Sequence, residues 1–401
     1  MPTPALSVSS PDRSAHADGL VELCARTFNP YFDMRDMCRG WYLLDGPYDW
    51  QASAVGLLGG ELVSHWGVWR YRMRIGAAEV RCGGIGAVAT SPEHRRRGFM
   101  ARTAPRSLAR MRALGYDFSI LFGIEGFYHQ FGYVPAWPEE TWHVQRDALP
   151  RELPPVRHRP LPPEPTRETA RLHNRANAGL TGTAVRPTYT MPFTGKYRAL
   201  EAHGWRDTRG RLAGHVVVRV QEGKLDCTEA TGEVDSILAV LRSLSIEKEL
   251  RELRFTTLPH RSALAARLRR LSCRLERKYE PNGDALARVV DLEGCLRKMQ
   301  PELSLRLGGS ALRRYQGTLS VAGDGAAARL ALRNGKVQIA PPGPSSSSVR
   351  LGARVAQLLI GTADPLEICD AAGARPRGEA ARLLPVLFPA QHPQLHRADR
   401  F

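Results

Sequence analysis

Three arginines and a glycine, Arg95-Arg96-Arg97-Gly98, stand between an apolar stretch that stops at Ser91-Pro92 and a run with Met100, Ala104, Leu108, Met111 and Leu114 at helical spacing. Free N–H groups at a helix start lie at the positive end of its dipole, and guanidinium groups bind phosphate through paired hydrogen bonds. The four residues therefore form a candidate phosphate cradle. Gly98 has no Cβ, so the backbone there can approach an anion closely. A basic triplet also suits a solvated surface turn or a short nucleic-acid patch, so the neighbouring elements must decide between the readings.

Those elements favour the cradle. Gly84 to Thr90 alternates small and β-branched residues and predicts a short buried strand. Asp117 to Phe122 predicts a second apolar strand, followed by Glu125-Gly126-Phe127-Tyr128-His129-Gln130-Phe131-Gly132-Tyr133. Tyr128 offers a phenol that can give a proton to a leaving group. It could equally be a core ring stacked with Phe127, Phe131 and Tyr133. His129 with Glu125 is an alternative acid–base pair.

At 401 residues the chain is too long for one ordinary core and implies two or three domains. Its formal charge of +17 is mostly arginine spread along the sequence, which suits polyanionic partners such as phosphates. Zinc-finger spacing, an RNP-like aromatic strand and a basic coiled coil are all missing from the sequence, so no nucleic-acid partner is expected. Seven cysteines, odd in number and without a CxxC pair, read as buried thiols of a reducing compartment. The amino terminus has no apolar signal region and no run approaches the ~20 apolar residues of a membrane span, so a soluble, cytoplasmic protein without membrane contact is expected.

Three segments follow from composition and pattern: 1–149, 150–290 and 291–401. The prolines from Pro150 to Pro165 predict an extended connector at the start of the second segment. After it come a helix from Glu168 to Asn177, a hairpin over Gly214–Val220 and Leu225–Ala230, and a helix over Glu233–Leu250. A strand over Leu253–Leu258 and a helix over Ser262–Leu271 complete the segment. This order repeats that of the first segment, with Thr231-Gly232-Glu233-Val234-Asp235 where the arginine turn stood. Two carboxylates there would repel a pyrophosphate. In the third segment, strands are predicted at Gly317–Val321, Ala327–Leu332 and Lys336–Ile339, a flexible loop through Pro341 and Ser345–Ser348, and helices at Leu351–Ile360 and Glu379–Leu387.

The arginine turn resembles the acetyl-CoA-binding core of the GNAT N-acetyltransferase superfamily, with signature Q/R-x-x-G-x-G/A. Arg95, Gly98 and Met100 fill the signature positions, with Met100 in place of the usual small residue. With the Glu125-Gly126-Phe127-Tyr128 stretch and the carboxyl terminus Leu387-Phe388-Pro389…Asp399-Arg400-Phe401, nearly the whole chain is similar to the Eis (enhanced intracellular survival) family. The resemblance implies an α/β (α+β) fold: tandem GNAT folds, the second degenerate, followed by a small sterol-carrier-protein-like α+β domain whose end reaches the active site.

It also implies direct transfer of acetyl from acetyl-CoA to a primary amine, such as an aminoglycoside, a lysine or a small amine. Tyr128 would act as general acid and the Phe401 α-carboxylate as general base. Val88, Ala89 and Thr90 would pair with the pantetheine, Arg95, Arg96, Arg97, Gly98, Phe99 and Met100 would cover the pyrophosphate, and Glu125 would lie near the thioester. Phe99 and Met100 could also line an acyl channel. No metal is implied, and the resemblance points to a homo-oligomer, a hexamer. An acceptor pocket is expected in Asn29–Trp50, where Asp33, Asp36, Asp45 and Asp49 alternate with Tyr31, Phe32, Trp41, Tyr42, Tyr48 and Trp50. A net +17 disfavours a polycationic acceptor at long range. The competing functions are a non-catalytic lipid-binding or scaffold protein, and an acyltransferase using a longer acyl-CoA.

Overall fold

The computed structural model describes residues 5–28, 34–186 and 199–400. The fold is mixed α/β, as expected, and the described residues form three sheets. The first has the order Leu6–Ser9, Ala54–Leu58, Glu61–Ile75, Ala78–Thr90, Phe118–Gly123, Asp284–Val289 and Val134–Pro135. A parallel pair within it joins Ala78–Thr90 to Phe118–Gly123. The second sheet runs Cys273–Lys278, Glu139–Gln145, Glu252–Thr256, Lys224–Thr231, Leu212–Gln221, Glu201–Arg206 and Arg159–Leu161. It too holds a parallel pair, between Lys224–Thr231 and Glu252–Thr256.

The two sheets trade strands. Glu139–Gln145 leaves the first unit and inserts into the second sheet. Asp284–Val289 returns from the second and pairs with Phe118–Gly123. Each sheet is therefore completed by chain from the other side of the boundary read near residue 150. A cut at that boundary would leave each sheet without one of its inner strands.

Helices sandwich the first sheet because its strands alternate apolar residues to both faces. Arg13–Phe28 and Arg35–Tyr42 pack Leu20, Cys24, Trp41 and Tyr42 on one face, against Tyr48, Val55 and Trp69. Phe99–Ala113 packs Met100, Ala104 and Met111 on the other, against Trp66, Val68 and Ile85. The third unit is built on Leu292–Gly308, a four-stranded sheet and the helix Ala380–Leu387. It shares one continuous core with the far end of the first sheet, where Tyr71, Met73, Val80, Phe118 and Ile120 meet Leu319, Leu330, Leu384 and Phe388.

Two local expectations fail. Ser347–Arg350 is a strand rather than part of a loop, parallel to Gln316–Gly323, with Ser347 buried. Serine's weak strand propensity is outweighed by the ladder and by Val349 in the core. In the proline-rich connector, Arg159–Leu161 pairs with Glu201–Arg206 as an edge strand, where a proline costs no ladder bond.

Candidate active site

The parallel pair of the first sheet holds register only from Cys82↔Phe118 to Ile85↔Leu121. Beyond that point Phe122 and Gly123 pair with Ala285 and Asp284, while Ala89 and Thr90 pair with His65 and Ser64. The two strands part, leaving one backbone edge of each without a strand partner among the described residues. A bulge drives the separation: register slips between His65 and Gly67, and Ala87 takes a left-handed φ of 45°. His65 fixes the bulge from below. Its Nδ1 donates to Ala87 O at 2.8 Å, and Tyr48 OH donates to its Nε2 at 2.8 Å.

A cavity of about 870 Å³ opens at this fork. The first unit lines it with Phe28, Met34, Trp41, Ile85, Val88 and Tyr128, among others. Gly123 lets the Tyr128 ring close over the strand end, because a Cβ there would overlap it. Tyr128 is 9% exposed and packs edge-on against Phe127 and Trp66 at 5.0 and 5.9 Å between centroids. Its hydroxyl has no hydrogen-bond partner among the described residues. Burial pushes the phenol up to about 12, so it stays protonated at neutral pH.

The arginine turn lies at the start of the helix Phe99–Ala113, outside this cavity. Arg95, Arg96 and Arg97 are exposed, and Arg96 and Gly98 have φ of 62° and 73°. Among the described residues no side chain caps the helix, and nothing lies within 4 Å of a Cβ placed on Gly98. Arg97 donates to His94 Nδ1 at 2.8 Å and sits over the Phe99 ring at 4.9 Å. Bare N–H groups, an open approach and three guanidinium groups at the start of this 15-residue helix make it a candidate anion site.

The remaining candidates divide. Val88 lines the cavity; Ala89 is buried in the helix-side core, and Thr90 is half-buried at the strand end. Phe99 and Met100 are both 8% exposed and pack inward, Phe99 on Leu6 and Val63, Met100 on the cluster holding Ile85 and Tyr128. Neither is a cavity-lining residue. Glu125 and His129 are exposed on the turn after Gly123 and also lie off the cavity wall. From Asn29–Trp50, Asp36 and Trp41 reach the cavity. Asp45 pairs with Arg13 at the surface, Asp49 is buried and accepts from Tyr116 OH at 2.6 Å, and Tyr42 and Tyr48 are core. Tyr31, Phe32, Asp33 and Phe401 lie outside the described residues.

Sequence reasoning missed the opposite wall. The second unit and the chain end supply Arg186, His215, Arg219, Glu229, Arg397 and Arg400 to the same cavity. Behind it sits a buried charge network. Arg186 donates to both Glu229 oxygens at 2.8 Å and to Asp399 at 2.8 and 3.0 Å. His173 and His215 flank Glu229 at 3.2 and 3.5 Å. Burial alone would raise both carboxylates, but Arg186 holds them below their ordinary range, with help from His173 and, for Glu229, also His215. The network thereby pins Asp399, and with it the chain end, to the cavity rim. Arg400 adds a bond to Glu139 at 2.7 Å and lies 4.2 Å over Phe122. The carboxyl-terminal motif was the one signal in the sequence for this docking. Arg186 and Glu229 have none, since 43 residues separate them.

Residues 13–136 match the family described as the acetyltransferase (GNAT) domain. That match makes this segment a GNAT acetyltransferase domain and the protein a transferase. Among solved structures, a GCN5-related N-acetyltransferase from Kribbella flavida superposes with TM-score 0.74 at 19% identity, covering 100% of this chain and 99% of that one. A GCN5-related N-acetyltransferase from Anabaena variabilis gives 0.75 at 14%, covering 98% and 99%. Eis1 from Mycobacterium abscessus gives 0.67 at 17%, covering 96% and 97%. These superpositions show a shared fold along nearly the full length of the chain. No curated protein matches the sequence. Among the described residues no helix is long and apolar enough to cross a membrane.

Proposed function

We propose that this GNAT-domain transferase moves acetyl from acetyl-CoA to a primary amine by direct attack in the cavity beside Tyr128. The observation that carries this reading is the forked parallel pair, with an uncapped helix N-terminus beyond it and a protonated phenol at its mouth. Pantetheine would lie along the free edge at Val88–Thr90, with the pyrophosphate over Arg95–Gly98. The amine nitrogen bonds to the thioester carbon, the C–S bond breaks, and the thiolate takes the Tyr128 proton. A phenol at about 12 against a thiol near ~8.5 leaves a gap of roughly three to four units. Tyr128 would thus act first as a hydrogen bond to the developing thiolate and release its proton late.

The amine's proton goes to a base. In this reading the base is the Phe401 α-carboxylate, and what supports it is that Arg397, Ala398 and Arg400 lie on the cavity wall. The third unit serves as a buttress in this reading, because its core is continuous with that of the first sheet.

Thiol release from acetyl-CoA across a panel of amines tests the proposal. Tyr128→Phe should lower kcat by about 10²–10⁴-fold with acetyl-CoA affinity unchanged. A chain extended by one residue past Phe401 should lose turnover as well. Full activity of Tyr128→Phe would remove it as the acid. Full activity of the extended chain would remove the terminal carboxylate as the base.

A further inference from the structure

The two sides of the cavity differ in charge. The first unit contributes apolar side chains and one carboxylate, Asp36, while the wall opposite carries four arginines, Arg186, Arg219, Arg397 and Arg400, against two carboxylates, Glu164 and Glu229. Three of these guanidinium groups are already held. Arg186 lies between Glu229 and Asp399. Arg219 donates from two nitrogens to Asp226 at 3.0 Å, and Asp226 also accepts from Arg254 at 2.9 Å. Arg400 is held by Glu139.

Arg397 is different. Its backbone N–H donates to Thr257 Oγ1 at 3.2 Å, which fixes the chain, but its guanidinium makes no hydrogen bond or ion pair among the described residues. Burial lowers its pKa, and the nearby Arg219 and Arg400 lower it further. Asp226 and Glu139, the carboxylates that act on it among the described residues, already serve other arginines. Arg397 is exposed to the open cavity beside two other guanidinium groups, and a ligand that brought a negative charge there would relieve their mutual repulsion. A guanidinium fork matches a carboxylate in shape as well as charge.

Resting on the acetyl-transfer reading, we propose that the acceptor is an amino carboxylate, with its carboxylate held by Arg397 between Arg219 and Arg400 and its amine directed toward Tyr128. Asp36 and Glu164, which also line the cavity, stand where an ammonium group would be drawn before it loses its proton. The same wall disfavours a polycation, as does the chain's net charge of +17.

The test compares glycine, β-alanine, γ-aminobutyrate and ε-aminocaproate with their neutral carboxamides, by thiol release at saturating acetyl-CoA. For the length that fits, the acid should exceed its amide in kcat/KM. Arg397→Ala should raise KM for that acid by about 10- to 100-fold, and far more than it raises KM for the amide or for acetyl-CoA. Arg397→Lys should recover part of the loss. Equal use of acids and amides by the unaltered protein would overturn the proposal. So would an Arg397→Ala variant that slows both alike, the mark of a residue that only holds the chain end, or one that raises the KM for acetyl-CoA as much as that for the acid.

Calorimetry with the N-acetylated acids and their amides separates this proposal from the one beneath it. Binding that prefers the acid and is lost in Arg397→Ala, with no turnover of any amine, would keep the anion site and discard acetyl transfer. Turnover of neutral amines without any preference for acids would do the reverse.

Discussion

Both halves of the molecule contain a parallel strand pair that parts and then leads into a helix, yet only one fork is open. In the first, the fork gives onto a cavity of about 870 Å³ and the helix Phe99–Ala113 starts bare behind Gly98. In the second, the pair Lys224–Thr231 and Glu252–Thr256 also loses register after three residue pairs. There the space is down to about 10 Å³, lined by Cys227, Thr228, Phe255 and the incoming His396. The helix Val234–Glu247 is closed by its own carboxylate: Glu233 accepts from Asp235 N at 3.0 Å and Ser236 N at 2.7 Å. The second unit thus supplies the anion for its own helix, and the chain end supplies the segment that fills its fork. The same local geometry binds a ligand or stabilises the fold according to who supplies the contents.

The largest expected effect follows from His396, which fills the second fork. Burial, and then the neighbouring His173, lower its pKa to about 4 from an ordinary 6.5, while Glu229 and Asp399 pull the other way. It is therefore neutral in the folded protein at pH 5 and protonated in the unfolded chain. The unfolded state binds the extra proton, so stability falls as pH drops from about 6.5 toward 4, by up to about 3 kcal/mol. Above 6.5 the effect vanishes. Glu229 and Asp399, whose pKa values are held low, add their own loss only below their unfolded values near 4. Urea unfolding at pH 7, 6 and 5 should show the decline, and His396→Gln should flatten it, leaving the smaller slopes of His158 and His392. An unchanged slope in the variant would mean that the filling residue is not what titrates.

The next effect comes from giving the first helix what the second already has. Gly98→Asp places a carboxylate at the bare N-terminus, in a left-handed conformation that Asp tolerates better than most residues. It should cost about 2 kcal/mol of pyrophosphate binding, roughly a 30-fold rise in the KM for acetyl-CoA. Gly98→Asn adds the same bulk without charge and should cost far less. If the two variants behave alike, backbone fit rather than charge distinguishes the two helices.

Much of this contrast was legible in the sequence. The arginine turn and its acidic counterpart at Glu233 differ in sign, and sign alone predicts which helix repels a phosphate. Periodicity found the helices on both sides because their apolar faces are local. What stayed hidden depends on residues far apart in the chain. The exchange of Glu139–Gln145 and Asp284–Val289 between sheets leaves no local trace, since each strand looks apolar wherever it pairs. Arg186, Glu229 and Asp399 look like surface residues until the fold brings them together out of water. Glu125 shows a different limit: a motif gives its position along the chain, while the fold sets it exposed on a turn off the cavity wall.

The smallest effect tests whether closure of the second fork needs both parts. Glu233→Ala removes two hydrogen bonds to backbone N–H groups and the charge that favours the helix dipole, at about 1 kcal/mol. Burial works against this carboxylate, but the N–H groups of Asp235 and Ser236 prevail and keep its pKa below the ordinary range. The loss should therefore be present at pH 7 and shrink as the pH falls below about 4.5, where the unaltered residue protonates too. Baring this helix should not create a second acetyl-CoA site, because His396 still occupies the fork where pantetheine would lie. Equilibrium dialysis of the variant should find the same number of acetyl-CoA equivalents as the unaltered protein. A second equivalent would show that the helix start alone decides binding, and that the filled fork contributes only stability.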